Sequence, residues 1–410
     1  MLKNVKVLDL SRVLAGPYCT QLLADMGADV IKVESPTGDD TRRWGPPYVG
    51  GESGYYLSVN RGKRSLAVDL KDAEAAAAVK RIAGRADVVI ENFKVGDLAR
   101  YGLDYESVSA VNPKVVYMSI TGFGQTGPRA NEPGYDGALQ ALSGVMAMTG
   151  EPGRGPVKLP VAFIDVLTGV HAAYGVLAAL RRAEATGAGV HLDLSLLDVA
   201  LASLVNQAQS VLLTGQAPER HGSAHPSIVP YQAFEAADGG LALAVGNDKQ
   251  FAKLCRVLGV PELAADDRYA TNDARVRNRS VLIPLLAGRV AEWRRDDLIA
   301  ACSHAGVPAT PVLTLAEAFE DAQVRARGAV ITGEHPTAGT VPMVASPLWS
   351  AAGVDGQDLG LRPAEGEAPA PPLLGQHSFD VLTKEAGLSP TQADALIARG
   401  AALQAEIEPA

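Results

Sequence analysis

The chain has 410 residues, of which 47% are hydrophobic and 20% charged, so it can bury large cores and its length favours two or three domains. A net charge of −9 and a pI near 5.4 exclude a general nucleic-acid-binding protein. Any binding of a phosphorylated ligand must therefore depend on a local basic site.

The first third of the sequence alternates between short apolar runs and helix-forming stretches. Predicted strands and helices follow in the order Val5–Leu10, Tyr18–Met26, Asp29–Glu34, Ser65–Asp69, Ala73–Arg85, Asp87–Glu91, Asp104–Asn112 and Val115–Thr121, where the second, fifth and seventh are helices. Such alternation predicts an α/β domain with a parallel sheet and a ligand at the carboxyl ends of its strands.

A second, smaller domain is predicted from about Pro226. Tyr231–Ala236 and Leu241–Val245 indicate two strands around the turn at Asp238, with helices following to about Ser303. For the remainder we predict strands within Val307–Val312 and Gly328–Val344, a surface connection at Ala364–Pro372, and a final helix at Ser389–Glu406.

Asp165 is the only ionisable residue in the apolar run Pro160–Val170. Burying an unpaired carboxylate is costly, so such a group is usually paired, hydrogen-bonded, neutralised or functional. The following stretch, up to Arg181 and Arg182, has helix-forming composition, so Asp165 is expected at or near a helix N-terminus that keeps it ionised. From this segment alone, helix capping is the more common role and catalysis the alternative.

Common cofactor and hydrolase motifs are missing or lie in the wrong context. Gly122–Gly127 matches GxGxxG, but Pro128 and the residues after it predict a loop where a dinucleotide site needs a helix. There is no GxSxG motif. His221 and His225 have HxxxH spacing without the glutamate of HExxH, so we predict no metal and no NAD or FAD.

Basic residues near predicted strand ends could neutralise a polyphosphate, although ordinary surface charge is the more common explanation for each. They are Arg42, Arg43, Arg61, Lys63, Arg64, Lys71 and Arg100, and Arg61–Arg64 is the best local cluster.

Three widely spaced cysteines and the absence of a CxxC pair fit a reducing cytoplasm. Asp9 and Arg12 interrupt what would be the apolar stretch of a signal peptide, and no later apolar run is predicted to be long enough to span a bilayer. We therefore predict a soluble, cytoplasmic protein with no membrane partner.

Several stretches, scattered in order along nearly the whole chain, together resemble the class III (CaiB/BaiF-type) CoA-transferases. This family includes carnitine and formate-type (formyl-CoA) transferases and the α-methylacyl-CoA racemases. The stretches are Val5–Pro17, Leu23–Glu34, Asn60–Ser65, Asp87–Phe93, Asp165 in its apolar setting, and Pro372–His377.

The resemblance implies that coenzyme A or an acyl-CoA binds the N-terminal α/β domain as a substrate, with no permanently bound cofactor. Position by position, the implied CoA contacts fall on Leu14, Ala15, Val68, Lys71, Asn92, Phe93, Arg100 and Tyr135. Two positions depart from the formate-type enzymes: Leu14 stands where they have glutamine, and Ser35 where they have arginine. The glycine-rich substrate loop of those enzymes has no evident match, which favours a larger carboxylic or dicarboxylic acid.

The resemblance makes Asp165 the nucleophile of an acyl-CoA:carboxylate CoA-transferase that uses mixed-anhydride and aspartyl-CoA thioester intermediates, with succinyl-CoA as a candidate donor. One alternative is an α-methylacyl-CoA racemase-type epimerase. Its histidine is replaced here by Tyr135, which is a poor base because the free pKa of tyrosine is about 10. Asp248 resembles the position of its acidic residue. A non-catalytic CoA-binding protein is the alternative of another class.

The resemblance also implies an interlocked homodimer with a Rossmann-like large domain built from both chain termini and a smaller α+β domain. The predicted segments are residues 1–205 and 341–410 for the large domain, 226–308 for the small domain, and 206–225 and 309–340 for the linkers.

Overall fold

A computed structural model describes residues 1–348, 363 and 366–406. The strands are β1 (Lys6–Asp9), β2 (Asp29–Glu34), β3 (Tyr48–Val49), β4 (Glu52–Ser53), β5 (Lys63–Val68), β6 (Val88–Glu91), β7 (Val116–Thr121), β8 (Val190–Ser195), β9 (Tyr231–Ala236), β10 (Gly239–Ala244), β11 (Ala309–Pro311), β12 (Val330–His335), β13 (Gly339–Val344) and β14 (Ala402–Leu403).

The α-helices are α1 (Ala15–Asp25), α2 (Gly54–Val59), α3 (Ala73–Ala83), α4 (Tyr105–Ser109), α5 (Asp136–Leu142), α6 (Val145–Met148), α7 (Phe163–Thr186), α8 (Leu196–Ser203), α9 (Val205–Thr214), α10 (Asp248–Val257), α11 (Asn272–Arg277), α12 (Arg279–Val290), α13 (Arg295–Ala305), α14 (Leu315–Glu320), α15 (Ala322–Ala326), α16 (Ser378–Asp380) and α17 (Pro390–Ala398). Short 3-10 helices cover Asp40–Arg43, Asp97–Tyr101 and Pro261–Ala264, and a π-helical turn covers Val381–Glu385.

The chain divides into two compact units. The first comprises Met1–Ser143, Leu159–Leu213 and Arg325–Ala410, and the second comprises Gly144–Lys158 and Thr214–Val324.

The first unit is built on a seven-stranded sheet with the order β14-β5-β2-β1-β6-β7-β8, in which only β14 is antiparallel to its neighbour. The predicted parallel α/β sheet is therefore confirmed. The chain builds outward from β1 to β2 and β5, then returns to the other side of β1 for β6, β7 and β8. Such a reversal opens a crevice at the carboxyl ends of the two strands where it occurs, which here are β1 and β6.

Alternate residues of the central strands supply two cores, one on each face of this sheet. Leu8 packs on the face covered by α3, α4 and α17, whereas its neighbour Val7 packs on the face covered by α1, α7 and α8. Both residues are almost fully buried. Burial on both faces explains why these strands are nearly continuous apolar runs.

The second unit contains the antiparallel sheet β11-β10-β9 and the helices α10 to α13. The β9–β10 hairpin turns through Asp238, and its register pairs Ala236 with Gly239, so the predicted hairpin is confirmed. Its core brings together apolar residues from the hairpin and the helices, among them Leu241, Phe251 and Leu286.

Two predicted helix boundaries were wrong. Helix α1 begins at Ala15, three residues before the predicted start, because Pro17 lies in the first turn, where its missing N–H is not needed. The predicted last helix ends at Ala398, before Gly400 with φ of +74°, and β14 follows. The surface connection expected at Ala364–Pro372 is confirmed only in part: Gly366, Glu367 and Pro369 are exposed, whereas Ala368 and Pro372 are buried, and residues 364 and 365 lie outside the described residues.

The expectation that no run is long enough to span a bilayer was wrong, because α7 is sufficiently long and apolar by length and composition. The helix nevertheless packs against α1, α8, β7 and β8. Its apolar residues Ala172, Val176 and Leu180 belong to the core of the first unit. We therefore interpret α7 as the central helix of this core.

Candidate active site

A cleft of about 200 Å³ opens at the crevice between β1 and β6. Residues 12–15 line it after β1, and residues 92–95 line it after β6. Gly134 and Tyr135 lie before α5, and Asp165 comes from the first turn of α7. The cleft thus occupies the position at which the strand order predicts a ligand.

The loop between β1 and α1 is held in place by side chains from two directions. Asn92 accepts the Arg12 N–H at 3.0 Å and donates to the Arg12 carbonyl at 2.8 Å. The Val13 N–H donates to the buried Asp39 carboxylate at 3.2 Å. Val13 has a φ of +71°, a strained conformation for a β-branched residue, so these contacts hold the loop in a shape that it does not favour by itself.

Buried charges lie under this loop. Lys32 Nζ donates to the Ser11 carbonyl and to Asp39, each at 2.9 Å, while Lys63 Nζ lies 3.2 Å from Asp9 and donates to the Pro17 carbonyl at 2.8 Å. The Lys32, Asp39, Lys63 and Asp9 side chains are completely inaccessible to solvent. Ionic groups sealed in this way fix the backbone that enters α1.

Close packing between α1 and α7 brings Asp165 to the cleft. A Cβ atom on Gly169 would lie 2.8 Å from the Ala15 carbonyl oxygen and 3.0 Å from the Tyr18 ring, so only glycine permits this approach. Asp165 lies one turn before Gly169, on the same face of the helix. Asp165 and Ala15, in the first turn of α1, line the same cleft.

Asp165 occupies the third position of α7, which confirms the predicted helix start, but it is not the N-cap residue. That position belongs to Ala162. The expectation that the helix end keeps Asp165 readily ionised was also wrong: burial, and then the charge of Asp136, raise the pKa of Asp165 to about 7. A carboxylate with a pKa near neutrality in a cleft is a typical feature of a catalytic site.

The Gly122–Gly134 segment is irregular, as predicted for the GxGxxG stretch, and α5 begins only at Asp136. A Cβ atom on Gly122 would lie 2.5 Å from the Gly134 Cα atom. Gly122 and Gly134 therefore permit a close contact between their backbones. This contact holds the end of the loop near the end of β7 and places Tyr135 in the lining of the cleft. Tyr135 is 67% exposed.

Six of the nine predicted site residues line this cleft, namely Leu14, Ala15, Asn92, Phe93, Tyr135 and Asp165. Leu14 and Ala15 are buried, so they can offer backbone groups to a ligand more readily than side chains. The N–H groups of Ala15 and Gly16, at the start of α1, have no partner within the helix, whereas Pro17 has no N–H and Tyr18 donates its N–H to the Leu14 carbonyl.

The other three predicted residues lie outside the cleft lining. Val68 is buried at the end of β5 and pairs with Ala402. Lys71 is exposed just after β5, at the same sheet edge but two strands from β1. The Arg100 guanidinium lies 3.9 Å from Asp97 and over the Tyr101 ring, in the 3-10 helix after β6.

The Arg61–Arg64 cluster does not form an anion site. These residues lie at the amino end of β5, whereas the cleft lies at the carboxyl ends of the strands. Arg61 pairs with Asp25 and Arg64 with Asp29, each at 2.6 Å. Arg42, another of the basic residues, pairs with Glu34 at 2.8 Å. These carboxylate partners could not be predicted from the sequence, because they are distant along the chain or belong to other elements.

Sequence reasoning missed two aromatic residues at the site, Trp44 and Tyr55. Trp44 lines the cleft, and its ring meets that of Tyr55 edge to face at 5.4 Å. Burial, and then Asp165, raise the pKa of Tyr55 to about 12, so this hydroxyl stays protonated and can donate a hydrogen bond. The sequence did offer a signal for Trp44: it is one of only three tryptophans and lies in a segment rich in glycine and proline.

Other candidate residues have structural partners. Asp248 accepts a 2.8 Å hydrogen bond from Arg275, which is fully buried. The Nδ1 atom of His225 accepts the Ser227 N–H, and its ring stacks on Tyr231 at 5.5 Å. Among the residues that the structure describes, no group of three or more His, Cys, Asp or Glu side chains could hold a metal ion.

This arrangement provides a carboxylate that titrates near neutrality, N–H donors at the start of α1 and a cleft for an extended ligand. Carboxylate attack on an acyl group needs these elements, because the N–H donors can stabilise the charge that develops on the carbonyl oxygen.

Comparison with known proteins gives consistent results. Residues 2–378 match the model of CoA-transferase family III. The chain is 47% identical over 390 residues to the succinate–glutarate CoA-transferase of Agrobacterium fabrum, covering 93% of this chain and 95% of that protein. It is 43% identical over 383 residues to the human succinyl-CoA:glutarate CoA-transferase, covering 93% of this chain and 85% of that protein. The crystal structure of a CaiB/BaiF family protein from Brucella suis superposes on this chain with a TM-score of 0.80 at 45% identity. The match covers 93% of this chain and 98% of that protein.

Proposed function

Because this chain belongs to CoA-transferase family III, we propose that it transfers CoA from succinyl-CoA to a dicarboxylic acid, with Asp165 as the nucleophile. That the protein is a CoA-transferase follows from the family; the substrates and the role of Asp165 are the proposal. The observation that carries this role is the position of the Asp165 carboxylate in the cleft at the β1–β6 crevice.

In the first half-reaction, the Asp165 carboxylate attacks the thioester carbonyl carbon of the donor. The C–S bond breaks, CoA leaves as a thiolate, and a mixed anhydride joins Asp165 to the donor acyl group. The thiolate then attacks the Asp165 carbonyl carbon, which releases the donor acid as its carboxylate and leaves an aspartyl-CoA thioester.

The second half-reaction runs the same steps with the acceptor acid. Its carboxylate attacks the aspartyl thioester, which releases CoA thiolate and forms a second anhydride. The thiolate attacks the acceptor's acyl carbon, giving the new acyl-CoA and restoring the Asp165 carboxylate. The sequence needs no oxidant, metal or net proton transfer, because a carboxylate and a thioester enter and leave.

The surroundings of Asp165 support these steps. The N–H groups at the start of α1 are suited to stabilise the oxyanion of each tetrahedral intermediate. The Trp44 and Tyr55 rings beside the cleft can limit the access of water, to which an anhydride would be lost. Asn92 keeps the loop that carries these N–H groups in register with β6.

The choice of a dicarboxylic acceptor follows from the two relatives whose names include glutarate, and from the missing formate-type loop. We expect the purified protein, incubated with succinyl-CoA and glutarate, to form glutaryl-CoA and succinate in equal amounts, measured by liquid chromatography with mass detection. Oxalate and formate serve as comparison acceptors. Deuterium exchange at the α-carbon of an acyl-CoA without transfer would instead identify a racemase, and binding without either reaction would identify a non-catalytic protein.

We also propose a homodimer. Every residue of α9 is exposed or half-buried, and the exposed fractions of Val205, Leu212 and Leu213 are 70%, 80% and 75%. An apolar surface of this kind usually marks an interface. Light scattering is expected to give twice the 42.6 kDa of one chain, and a single-chain mass at all practical concentrations would contradict the proposal.

A further inference from the structure

The first turn of α7 is capped by a side chain from another helix. Asp136 Oδ2 accepts the N–H groups of Ile164 at 2.8 Å and Asp165 at 3.3 Å. The N-cap residue of α7, Ala162, has only a methyl side chain and cannot accept these bonds. A carboxylate from α5 thus does for α7 what an N-cap aspartate does in an ordinary helix.

Asp136 is itself held rigidly. Gln140, one turn later on α5, donates from Nε2 to Asp136 Oδ1 at 2.6 Å and accepts the Leu159 N–H at 2.9 Å. Gln140 is fully buried, and Asp136 is 7% exposed. The pair therefore ties α5, the segment that leads into α7, and the backbone of Asp165 into one unit.

Asp136 also acts on Asp165 through its charge, because a neighbouring negative charge disfavours the ionised form of a carboxyl group. Tyr55, on α2, interacts electrostatically with Asp165. The other ionisable residues that line the same cleft are Arg12, Asp40, Lys94, Glu132 and Tyr135. A nucleophile works best when its pKa is matched to the working pH. The charge of Asp136 raises the pKa of Asp165 towards neutrality, and its hydrogen bond to the Asp165 N–H orients the backbone of the nucleophile.

We propose that Asp136 is a positioning residue of the transfer reaction, which anchors the first turn of α7 and aims the Asp165 carboxylate at the acyl-CoA. The inference rests on the proposed function, in which Asp165 is the nucleophile. Asp136 is not among the residues that line the cleft, so it acts through Asp165 and not by contact with CoA.

The test is the pH profile of the Asp136→Asn variant. The acidic limb of kcat/KM is expected near pH 7 in the wild type. Removing the negative charge lowers the pKa of Asp165, so this limb is expected to move to lower pH. The new amide also places an N–H₂ group against Gln140 Nε2, which disturbs the alignment and lowers kcat about tenfold. The KM for acyl-CoA is expected to stay within about twofold.

Two further variants separate positioning from a general loss of stability. Asp238 caps α13 in the second unit by accepting the Arg295 N–H at 2.7 Å, so Asp238→Asn makes the same chemical change at a residue that does not line the cleft and should leave the pH profile unchanged. The double variant Asp136→Asn/Gln140→Glu restores an acceptor for the new amide. It is expected to recover kcat to within about threefold of the wild type, and it remains measurable if the single variant folds poorly.

An unchanged acidic limb and unchanged kcat in folded Asp136→Asn would overturn this inference, as would equal effects of Asp238→Asn. An inactive Asp165→Asn variant beside a wild-type-like Asp136→Asn would reject the role of Asp136 alone. An active Asp165→Asn variant would reject the nucleophile, and the role of Asp136 with it.

Discussion

Replacing Asp165 by asparagine is expected to lower kcat for CoA transfer by at least about 10³-fold. The amide is close in size to the carboxylate, but it lacks the nucleophilic oxygen that forms the mixed anhydride and, later, the aspartyl-CoA thioester. No other group in the mechanism can replace it, because the reaction depends on a covalent bond to this side chain. Steady-state rates of glutaryl-CoA formation provide the measurement.

The same variant is expected to keep its fold and its affinity for CoA. Asparagine retains a polar side chain in the first turn of α7, and it removes one of the two adjacent negative charges that burial makes costly. We therefore expect the thermal midpoint to stay equal or rise, and calorimetric binding of CoA to persist. Loss of activity together with loss of CoA binding would mean that the substitution disturbed the cleft, and would not support a nucleophile.

Replacing Lys32 by methionine is expected to lower the free energy of unfolding by about 3–5 kcal/mol. The substitution leaves Asp39 as a buried carboxylate without its 2.9 Å partner, and it removes the donor to the Ser11 carbonyl. Urea unfolding at fixed protein concentration gives the measurement, because association also contributes to stability. Since a domain has only about 5–15 kcal/mol of stability in total, the variant should be close to unfolding.

The matched control is Lys6→Met, which removes a 2.7 Å ion pair with Glu385 in which the Lys6 side chain is 44% exposed. Its expected cost is below about 1 kcal/mol, because solvent weakens exposed ion pairs. A second control, Lys32→Met/Asp39→Asn, removes the stranded charge and should recover at least about 1 kcal/mol. Equal costs for the two single lysine variants would contradict the structural role assigned to Lys32.

The pH dependence of this effect has a definite sign. Burial raises the pKa of Asp39, but Lys32 and hydrogen bonds outweigh it, so in the wild type the pKa is lowered. The stability that Asp39 contributes is therefore present above about pH 4 and is lost as the pH falls through the lowered pKa. Without Lys32, burial is expected to raise the pKa of Asp39, so protonation at acidic pH removes the unpaired buried charge. The difference between wild type and Lys32→Met should thus shrink as the pH approaches 4.

Much of the fold could be predicted because its signals are local. The strands at Val7, Val30 and Val89 are apolar runs separated by helix-forming stretches, and alternation of this kind has few solutions other than a parallel sheet. The ends of elements were harder. Pro17 and Gly400 change the first and last helices through backbone preferences that compete with the surrounding pattern.

A site residue could be predicted where its type is unusual for the surrounding sequence. Asp165 stood out as a charge in an apolar run, whereas the choice between capping and catalysis needed tertiary structure. The structure assigns the capping contacts to Asp136, which is 29 residues away along the chain. Burial raises the pKa of Asp165, and the charge of Asp136 adds to this shift from a position 29 residues away, so the local pattern did not supply the second cause.

The basic residues show the opposite case. A cluster such as Arg61–Arg64 resembles an anion site in sequence, because the carboxylates that neutralise it come from other elements. Asp25 and Asp29 lie more than thirty residues earlier, yet they meet the arginines at the amino edge of the sheet. Charge patterns therefore reveal little about ligands until the partners of each group are known.

Detection of the covalent intermediate tests the central claim most directly. The protein is incubated with succinyl-CoA in the absence of an acceptor, quenched in acid, digested and analysed by mass spectrometry. The peptide that contains Asp165 is expected to gain the mass of CoA less one water, to lose it when glutarate is added, and to remain unmodified in Asp165→Asn. Full acyl exchange with no adduct on this peptide, or exchange that persists in Asp165→Asn, would contradict the assignment of Asp165 as the nucleophile.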